Sequence, residues 1–120
     1  MSVTKQLMEK INHAFANGDV DSMIELATED IVMNEIGHGI SEGKAAYIEK
    51  MEPMRGYKAD VYEVHRTLIE GNTAVIEGEM EFVEGDEKVI YCFTDWYEFE
   101  NEKIKSITVF MIKQANTDEN

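Results

Sequence analysis

The 120-residue sequence has one cysteine, one proline and no long hydrophobic run. Because Cys92 is the single cysteine, no disulfide can form within the chain. No apolar stretch approaches the ~20 residues that a membrane-spanning helix requires, and the first residues lack the apolar core of a secretory signal. These absences predict a cytoplasmic protein that has no membrane among its partners.

Basic residues are also scarce. The chain carries 11 Lys and Arg against 25 Asp and Glu, which gives a formal net charge of -14. Nucleic-acid phosphates and anionic membranes both attract basic surfaces, so neither is expected to be a partner. The acidic charge favours solubility and does not identify a substrate.

The length and composition predict one globular domain. A chain of 120 residues with 43% hydrophobic residues can build a core of its own. It contains no internal repeat and no Gly/Ser-rich linker. We therefore expect a single domain over residues 1–114, followed by a polar C-terminal tail at 115–120.

Three helices are predicted in the first half of the chain. Apolar residues there recur at three- and four-residue intervals, as on one face of a helix. Gly18 is expected to end the first helix, since glycine tolerates the left-handed conformation, and Asp19 to cap the second. Ser41 or Glu42 is expected to open the third helix, which is predicted over Gly43 to Met51.

The second half has the alternation of β-strands. From about Ala59 to Lys113 polar and apolar residues alternate, and turn signals interrupt the pattern at 70–73, 84–87 and 100–103. This predicts long antiparallel strands joined by short hairpins. Helices followed by strands indicate an α+β fold in which the helices cover one face of the sheet.

Asp95 is the most informative residue of the strand region. Alternation places it on one face with Tyr91, Phe93, Tyr97 and Phe99, so it interrupts an aromatic surface. Loss of water there raises the pKa of a carboxyl group, and a neutral acid can donate a hydrogen bond to a developing oxyanion. The alternatives are that Asp95 lies at a strand edge, or that an arginine or backbone amides bind it.

Glu35 is the second candidate. It lies in a short extended segment and shares strand parity with Ile31 and Met33, so it is expected to face the helix-covered side. If Glu35 and Asp95 enter one cavity, one acid can abstract a proton while the other stabilises the enolate. The alternative is a solvated glutamate at the end of the strand.

The histidines and the cysteine support no other chemistry. His38 lies near Glu35 and is a candidate for a pocket mouth, whereas His65 is expected to have a structural role. The Glu35-x-x-His38 spacing suits metal binding from a helix, but this segment is extended, so no metal is predicted. Phosphate-binding loops and the Gly-x-Ser-x-Gly nucleophile motif do not occur, and no cofactor is predicted.

Trp96 lies on the strand face opposite Asp95, beside Thr94. Tryptophan is enriched at protein interfaces, so an outward Trp96 indicates a buried partner surface. The alternative is that a loop of the same chain covers it.

Several segments together resemble the nuclear-transport-factor-2-like superfamily, which includes ketosteroid isomerases and polyketide cyclases of the SnoaL type. The resemblance extends from roughly Thr4 to Lys113. The segments that carry it are Phe15-Ala-Asn-Gly-Asp19, Met23-Ile-Glu-Leu26, Glu29-Asp-Ile-Val32, Gly43-Lys-Ala-Ala-Tyr-Ile48, Thr94-Asp-Trp-Tyr-Glu-Phe99 and Glu102-Lys-Ile-Lys-Ser-Ile107.

The resemblance implies a cone-shaped fold, in which a strongly curved, mostly antiparallel sheet packs on three N-terminal helices around an apolar cavity. It also implies a homodimer formed through the outer sheet face, including Thr94 and Trp96. Compared with the ketosteroid isomerases, Glu35 matches the general base and Asp95 matches the protonated acid of the oxyanion hole.

The chain departs from the isomerases at two tyrosine positions, which are occupied by Ile11 and Met51. Removing one donor of this kind typically costs ~10²–10³ in rate, which argues against steroid isomerisation. Tyr91 or Tyr97 is a candidate replacement phenol. The residues predicted to line a ligand pocket are Ile11, Phe15, Met33, Met51, Met80, Phe82, Tyr91, Phe93, Tyr97 and Val109.

Two functions follow as predictions. The first is acid–base catalysis, a proton transfer next to a carbonyl group on a small apolar molecule, of isomerase or cyclase type and without a cofactor. The second is a non-catalytic ligand-binding or dimeric assembly module of the same fold. A third possibility is that Asp95 is structural and that side chains fill the cavity.

Overall fold

The structure is a computed structural model that describes residues 3–114. The polar tail predicted at 115–120 lies outside the described residues. Within the described range, no helix is both long enough and apolar enough to cross a membrane.

Helix α1 (Lys5–Asn17) ends at Gly18, as the sequence predicts. The side chain of Thr4 caps its start by accepting a hydrogen bond from the Leu7 amide at 3.1 Å. Gly18 ends it with a φ of 64°, and a side chain at this position would overlap the carbonyl oxygen of Met54. Glycine is therefore required here for both its conformation and its size.

Helices α2 (Val20–Glu25) and α3 (Lys44–Met51) complete the helical layer, and a short 3₁₀ turn (Glu52–Met54) follows α3. Asp19 caps α2, as predicted, by accepting from the amide of Ser22 at 3.2 Å. The caps thus fix where the chain turns back between the first two helices.

Strand β1 (Ala27–Glu35) pairs with the short antiparallel strand β2 (Gly39–Glu42). The prediction that Ser41 or Glu42 opens the third helix was wrong, because both residues pair with β1 and Gly43 occupies the cap position of α3. A hairpin therefore separates the second and third helices.

The four long strands are β3 (Val61–Glu70), β4 (Thr73–Glu84), β5 (Glu87–Glu100) and β6 (Lys103–Lys113). They form a meander within one six-stranded sheet of order β2-β1-β6-β5-β4-β3. Every neighbouring pair is antiparallel except β1 and β6. The curved sheet packed on three helices confirms the predicted α+β cone.

A bulge in β3 bends the sheet opposite Gly78. The register shifts between Val64 and Arg66, and Gly78 is the partner of Val64. A Cβ at Gly78 would overlap the carbonyl oxygen of Glu63 and lie 2.9 Å from the ring of Phe93. Glycine is therefore required at this position, because the neighbouring strand and the ring leave no room for a side chain.

The main core lies between the helices and the concave face of the sheet. Its fully buried side chains come from both layers: Met8, Ile11, Val20, Met23, Ile31, Tyr47, Ile76, Tyr97, Ile104 and Ile107. Some residues of the core also border an open space: Met33, Met51, Phe93 and Val109.

Candidate functional site

The helices and the concave face of the sheet leave a cavity of about 460 Å³. That volume is in the range of small-molecule sites. Most of its lining is apolar: Phe15, Met33, Met51, Pro53, Met54, Ala59, Met80, Phe82, Phe93, Val109 and Met111. The phenols of Tyr57 and Tyr62 and four ionisable side chains, Glu35, Lys50, Glu84 and Asp95, complete it.

Glu35 and Asp95 both line this cavity, from strands on either side of β6. Glu35 is registered with Val109, and Asp95 is registered with the same valine from the other side. Cross-strand neighbours share a face and adjacent strands lie about 4.8 Å apart, so the two acidic Cα atoms are about 10 Å apart. The fold thus brings together the two acids that the sequence singled out.

Asp95 lies dry at the cavity wall. Its Oδ1 is buried without a hydrogen-bond partner among the described residues, and burial raises the pKa of its carboxyl group to about 7. Strand β5 is internal in the sheet, and within residues 3–114 neither an arginine nor a backbone amide binds this carboxyl. The alternatives of a strand edge and of a structural partner are therefore excluded within that range.

Glu35 is held differently. The ammonium of Lys50, in the last turn of α3, forms an ion pair with Glu35 Oε1. The side chain of Glu35 is 25% exposed to solvent, and that of Lys50 is 42% exposed. One acid of the cavity thus has a cationic partner, whereas Asp95 has none among the described residues.

Tyr62 is a cavity residue that sequence reasoning missed. Its ring stacks on Phe93 with the centroids 5.3 Å apart. Burial, together with the nearby charge of Asp95, raises the pKa of its phenol. Tyr62 is the cross-strand partner of Met80 only because the bulge between Val64 and Arg66 shifts the pairing by one residue, so simple alternation from the hairpin did not reveal it.

Tyr91 and Tyr97, the predicted replacement phenols, do not line the cavity. Tyr91 bonds to Glu84 at 3.3 Å. Tyr97 is 1% exposed because its strand neighbours Ala74 and Ile107 place it in the helix-covered core. Tyr57 and Tyr62 are instead the tyrosines that line the cavity among the described residues.

Ile11 also lies away from the cavity, since it is fully buried in the core. Phe15, one helical turn further along α1, reaches the cavity instead. The other predicted pocket residues line it: Phe15, Met33, Met51, Met80, Phe82, Phe93 and Val109. The cavity is thus open, which argues against the third possibility, a hollow filled with side chains.

Other polar candidates lie outside the cavity. His38 is exposed in the turn between β1 and β2 and does not line it, while His65 lies at the bulge, 3.4 Å from Glu79. Within residues 3–114, no three His, Cys, Asp or Glu side chains are grouped as metal ligands would be.

Trp96 is 48% exposed on the convex side of the sheet, so no loop of the described chain covers it. Thr94 and Phe110 pair beside it, and Phe110 and Ile112 are also exposed. The convex side thus carries an apolar patch.

A family profile described as the SnoaL-like domain matches residues 8–107. Among solved structures, an NTF2-like protein of unknown function from Cytophaga hutchinsonii is 27% identical over 92% of this chain and 100% of its own, with a TM-score of 0.79. No curated protein matches the chain.

Two further structures share the fold at lower identity. An LEH-like epoxide hydrolase from M. tuberculosis is 18% identical over 89% of this chain and 80% of its own, with a TM-score of 0.76. SalBIII, an epoxide hydrolase/cyclase-like enzyme of pyran ring formation in the polyether salinomycin, is 21% identical over 90% and 89%, with a TM-score of 0.78.

Proposed function

The chain belongs to the SnoaL-like domain family, and on that premise we propose that its cavity binds a small, mostly apolar carbonyl compound and transfers a proton at the carbon beside the carbonyl. The observation that carries the proposal is the pair of acids on either side of Val109, one dry and one ion-paired, in a single apolar cavity.

Glu35 is the proton acceptor in this scheme. The ammonium of Lys50 stabilises its carboxylate and orients it at the cavity wall. The C–H proton moves to Glu35, and the electron pair of that bond delocalises onto the carbonyl oxygen. Return of the proton from Glu35 to another carbon of the enolate gives isomerisation. Attack of the enolate on a second carbonyl carbon breaks that C=O π bond, and the resulting alkoxide takes up the proton from Glu35, which gives cyclisation.

Asp95 is the group that stabilises the oxygen. With a pKa near 7, a large fraction of its carboxyl groups carries a proton at neutral pH and can donate it as a hydrogen bond to the developing oxyanion. The surrounding apolar lining excludes water, which strengthens that interaction. The Tyr62 phenol lines the same cavity and supplies a second donor.

Exchange of hydrogen for deuterium tests this function without knowledge of the full reaction. Small ketones and enones are incubated with the protein in D₂O, and the signal of the C–H beside the carbonyl is followed by NMR. The panel includes epoxides with detection of ring opening, because two proteins of similar fold are described as epoxide hydrolases or cyclases.

We expect Asp95→Asn and Glu35→Gln each to slow exchange by about 100-fold or more. Asp86→Asn is the matched control, since Asp86 is exposed in the β4–β5 turn, and we expect it to exchange like the wild type. Wild-type exchange in both cavity variants would overturn the proposal.

A second candidate is a ligand-binding module without chemistry. The ion pair with Lys50 supports it, because the ammonium already engages Oε1 of the carboxylate that the catalytic scheme needs as a proton acceptor. Saturable binding of ketones with no exchange in any compound of the panel would favour this function over catalysis.

We further propose that a second copy of the chain covers the convex patch of Trp96, Phe110 and Ile112. Burial of such side chains contributes to stable association. Light scattering coupled to size exclusion should give a dimer mass that Trp96→Glu converts to a monomer. Ile36→Glu, at an exposed apolar residue of the β1–β2 turn, should remain a dimer. A monomeric wild type would contradict this assembly.

A further inference from the structure

The charges that line the cavity are unbalanced. Three acids, Asp95, Glu35 and Glu84, face a single cation among the described lining residues, Lys50. That ammonium is already paired with Glu35. When Asp95 is ionised, its carboxylate therefore has no positive neighbour within residues 3–114, and its Oδ1 stays without a hydrogen bond.

Aromatic rings make up much of the wall. The five rings belong to Phe15, Tyr57, Tyr62, Phe82 and Phe93. They are arranged partly in pairs, with Tyr57 5.4 Å from Phe82 and Tyr62 5.3 Å from Phe93. The faces of aromatic rings attract cations and repel anions.

We propose that this cavity also binds a hydrophobic organic cation, an alkyl- or arylalkyl-ammonium whose nitrogen lies beside the Asp95 carboxylate and whose apolar part lies among the rings. An ionised carboxylate buried without a partner is strongly unfavourable, and an incoming ammonium supplies that partner. This ligand class goes beyond the neutral carbonyl substrate and does not depend on catalysis.

Asp95 is the group whose ionisation should govern this binding. The phenols of Tyr62 and Tyr97 lie near Asp95, and that of Tyr47 lies near Tyr97. All three have raised pKa values because they are buried, and they stay neutral through the physiological range. The charged groups that share the cavity are the Glu35–Lys50 pair and Glu84. No histidine lines it within the described range.

The pH dependence follows with a definite sign. The carboxyl of free Asp95 has a pKa of about 7, so at pH 5.5 only a few per cent of the molecules present the carboxylate, against most of them at pH 8. Apparent affinity scales with the binding-competent fraction, so a permanently charged ligand should bind about 30-fold more tightly at pH 8.

Three probes of similar size separate the possible outcomes: benzyltrimethylammonium, the neutral ketone benzylacetone and the anion 3-phenylpropanoate. Each is titrated into the full-length protein by calorimetry at pH 5.5 and pH 8. We expect the cation to bind more tightly at pH 8, the ketone to prefer pH 5.5, and the anion to bind weakly at both.

Asp95→Asn should weaken cation binding at least tenfold and remove its pH dependence, while it retains the ketone. Asp86→Asn should behave as the wild type. Retention of the ketone shows that the cavity of the variant is intact, so an unfolded variant is recognised directly. Equal affinity of the wild type for the cation at the two pH values, or undiminished binding by Asp95→Asn, would overturn the inference.

Both proposals use Asp95, but the binding and exchange experiments can fail separately. If the wild type binds the cation but does not exchange deuterium, only the catalytic function is contradicted. If the wild type exchanges deuterium but does not bind the cation, only the proposed ligand class is contradicted.

Discussion

Glu35 and Asp95 are registered with the same residue, Val109, from opposite sides of β6. This places two carboxyl groups in one row of the sheet, on the face that lines the cavity. The residues differ in their surroundings, since Lys50 engages Glu35 and no described residue engages Asp95. The different surroundings give the two acids different chemistry.

Ionisation of Asp95 should make the folded protein less stable at alkaline pH. The folded state holds this proton up to pH about 7, whereas the unfolded chain releases it near 3.8. Between these values folding takes up a proton, so stability falls as pH rises through the window. The difference corresponds to roughly 4 kcal/mol once both states are ionised.

Asp95→Asn removes this dependence. We expect the variant to be more stable than the wild type at pH 8.5 and close to it at pH 4, as measured by urea unfolding. Asp86→Asn, at an exposed residue, should follow the wild type at both pH values. A variant no more stable than the wild type at pH 8.5 would show that Asp95 is not a dry acid in the fold.

Tyr62→Phe tests the second donor. The change removes only the phenol oxygen, so the stack on Phe93 is kept. We expect deuterium exchange to slow at least tenfold, with an unchanged urea midpoint. Tyr91→Phe is the matched control, because Tyr91 bonds to Glu84 and does not line the cavity. A Tyr62→Phe variant as active as Tyr91→Phe would remove this phenol from the mechanism.

Gly78→Ala tests the close approach that shapes the sheet. The added methyl group would overlap the Glu63 carbonyl oxygen and press on the ring of Phe93. We expect a loss of about 1–3 kcal/mol in the free energy of unfolding. Arg66→Ala, which removes an exposed ion pair with Glu77, should change it by less than about 1 kcal/mol. Equal small losses in the two variants would contradict the bulge geometry.

Local features of the sequence predicted much of the fold. Gly18 and Asp19 act through their own backbone conformation and side chain, so the end of one helix and the start of the next follow from neighbouring residues alone. The inward direction of Asp95 follows from alternation along a single strand. Such features need no knowledge of distant contacts.

The features that the sequence did not predict depend on contacts between residues far apart in the chain. Alternation put Tyr97 on the same face as Asp95, but only the cover of the helices shows that this tyrosine lies in the core beyond the cavity. The register of β3 fixes Tyr62 opposite Met80. Lys50 forms an ion pair with Glu35 because α3 packs on β1, and the spacing of the two residues in the sequence does not predict this contact.

The titration of Asp95 is the most direct test of the account. NMR of the side-chain carboxyl carbon, assigned by comparison with Asp95→Asn, gives its pKa in the intact protein. The structure predicts a midpoint of about 7, because burial disfavours the charged form. A midpoint near 4, the value of a hydrated aspartate, would contradict the dry carboxyl on which both the proposed catalysis and the proposed cation binding depend.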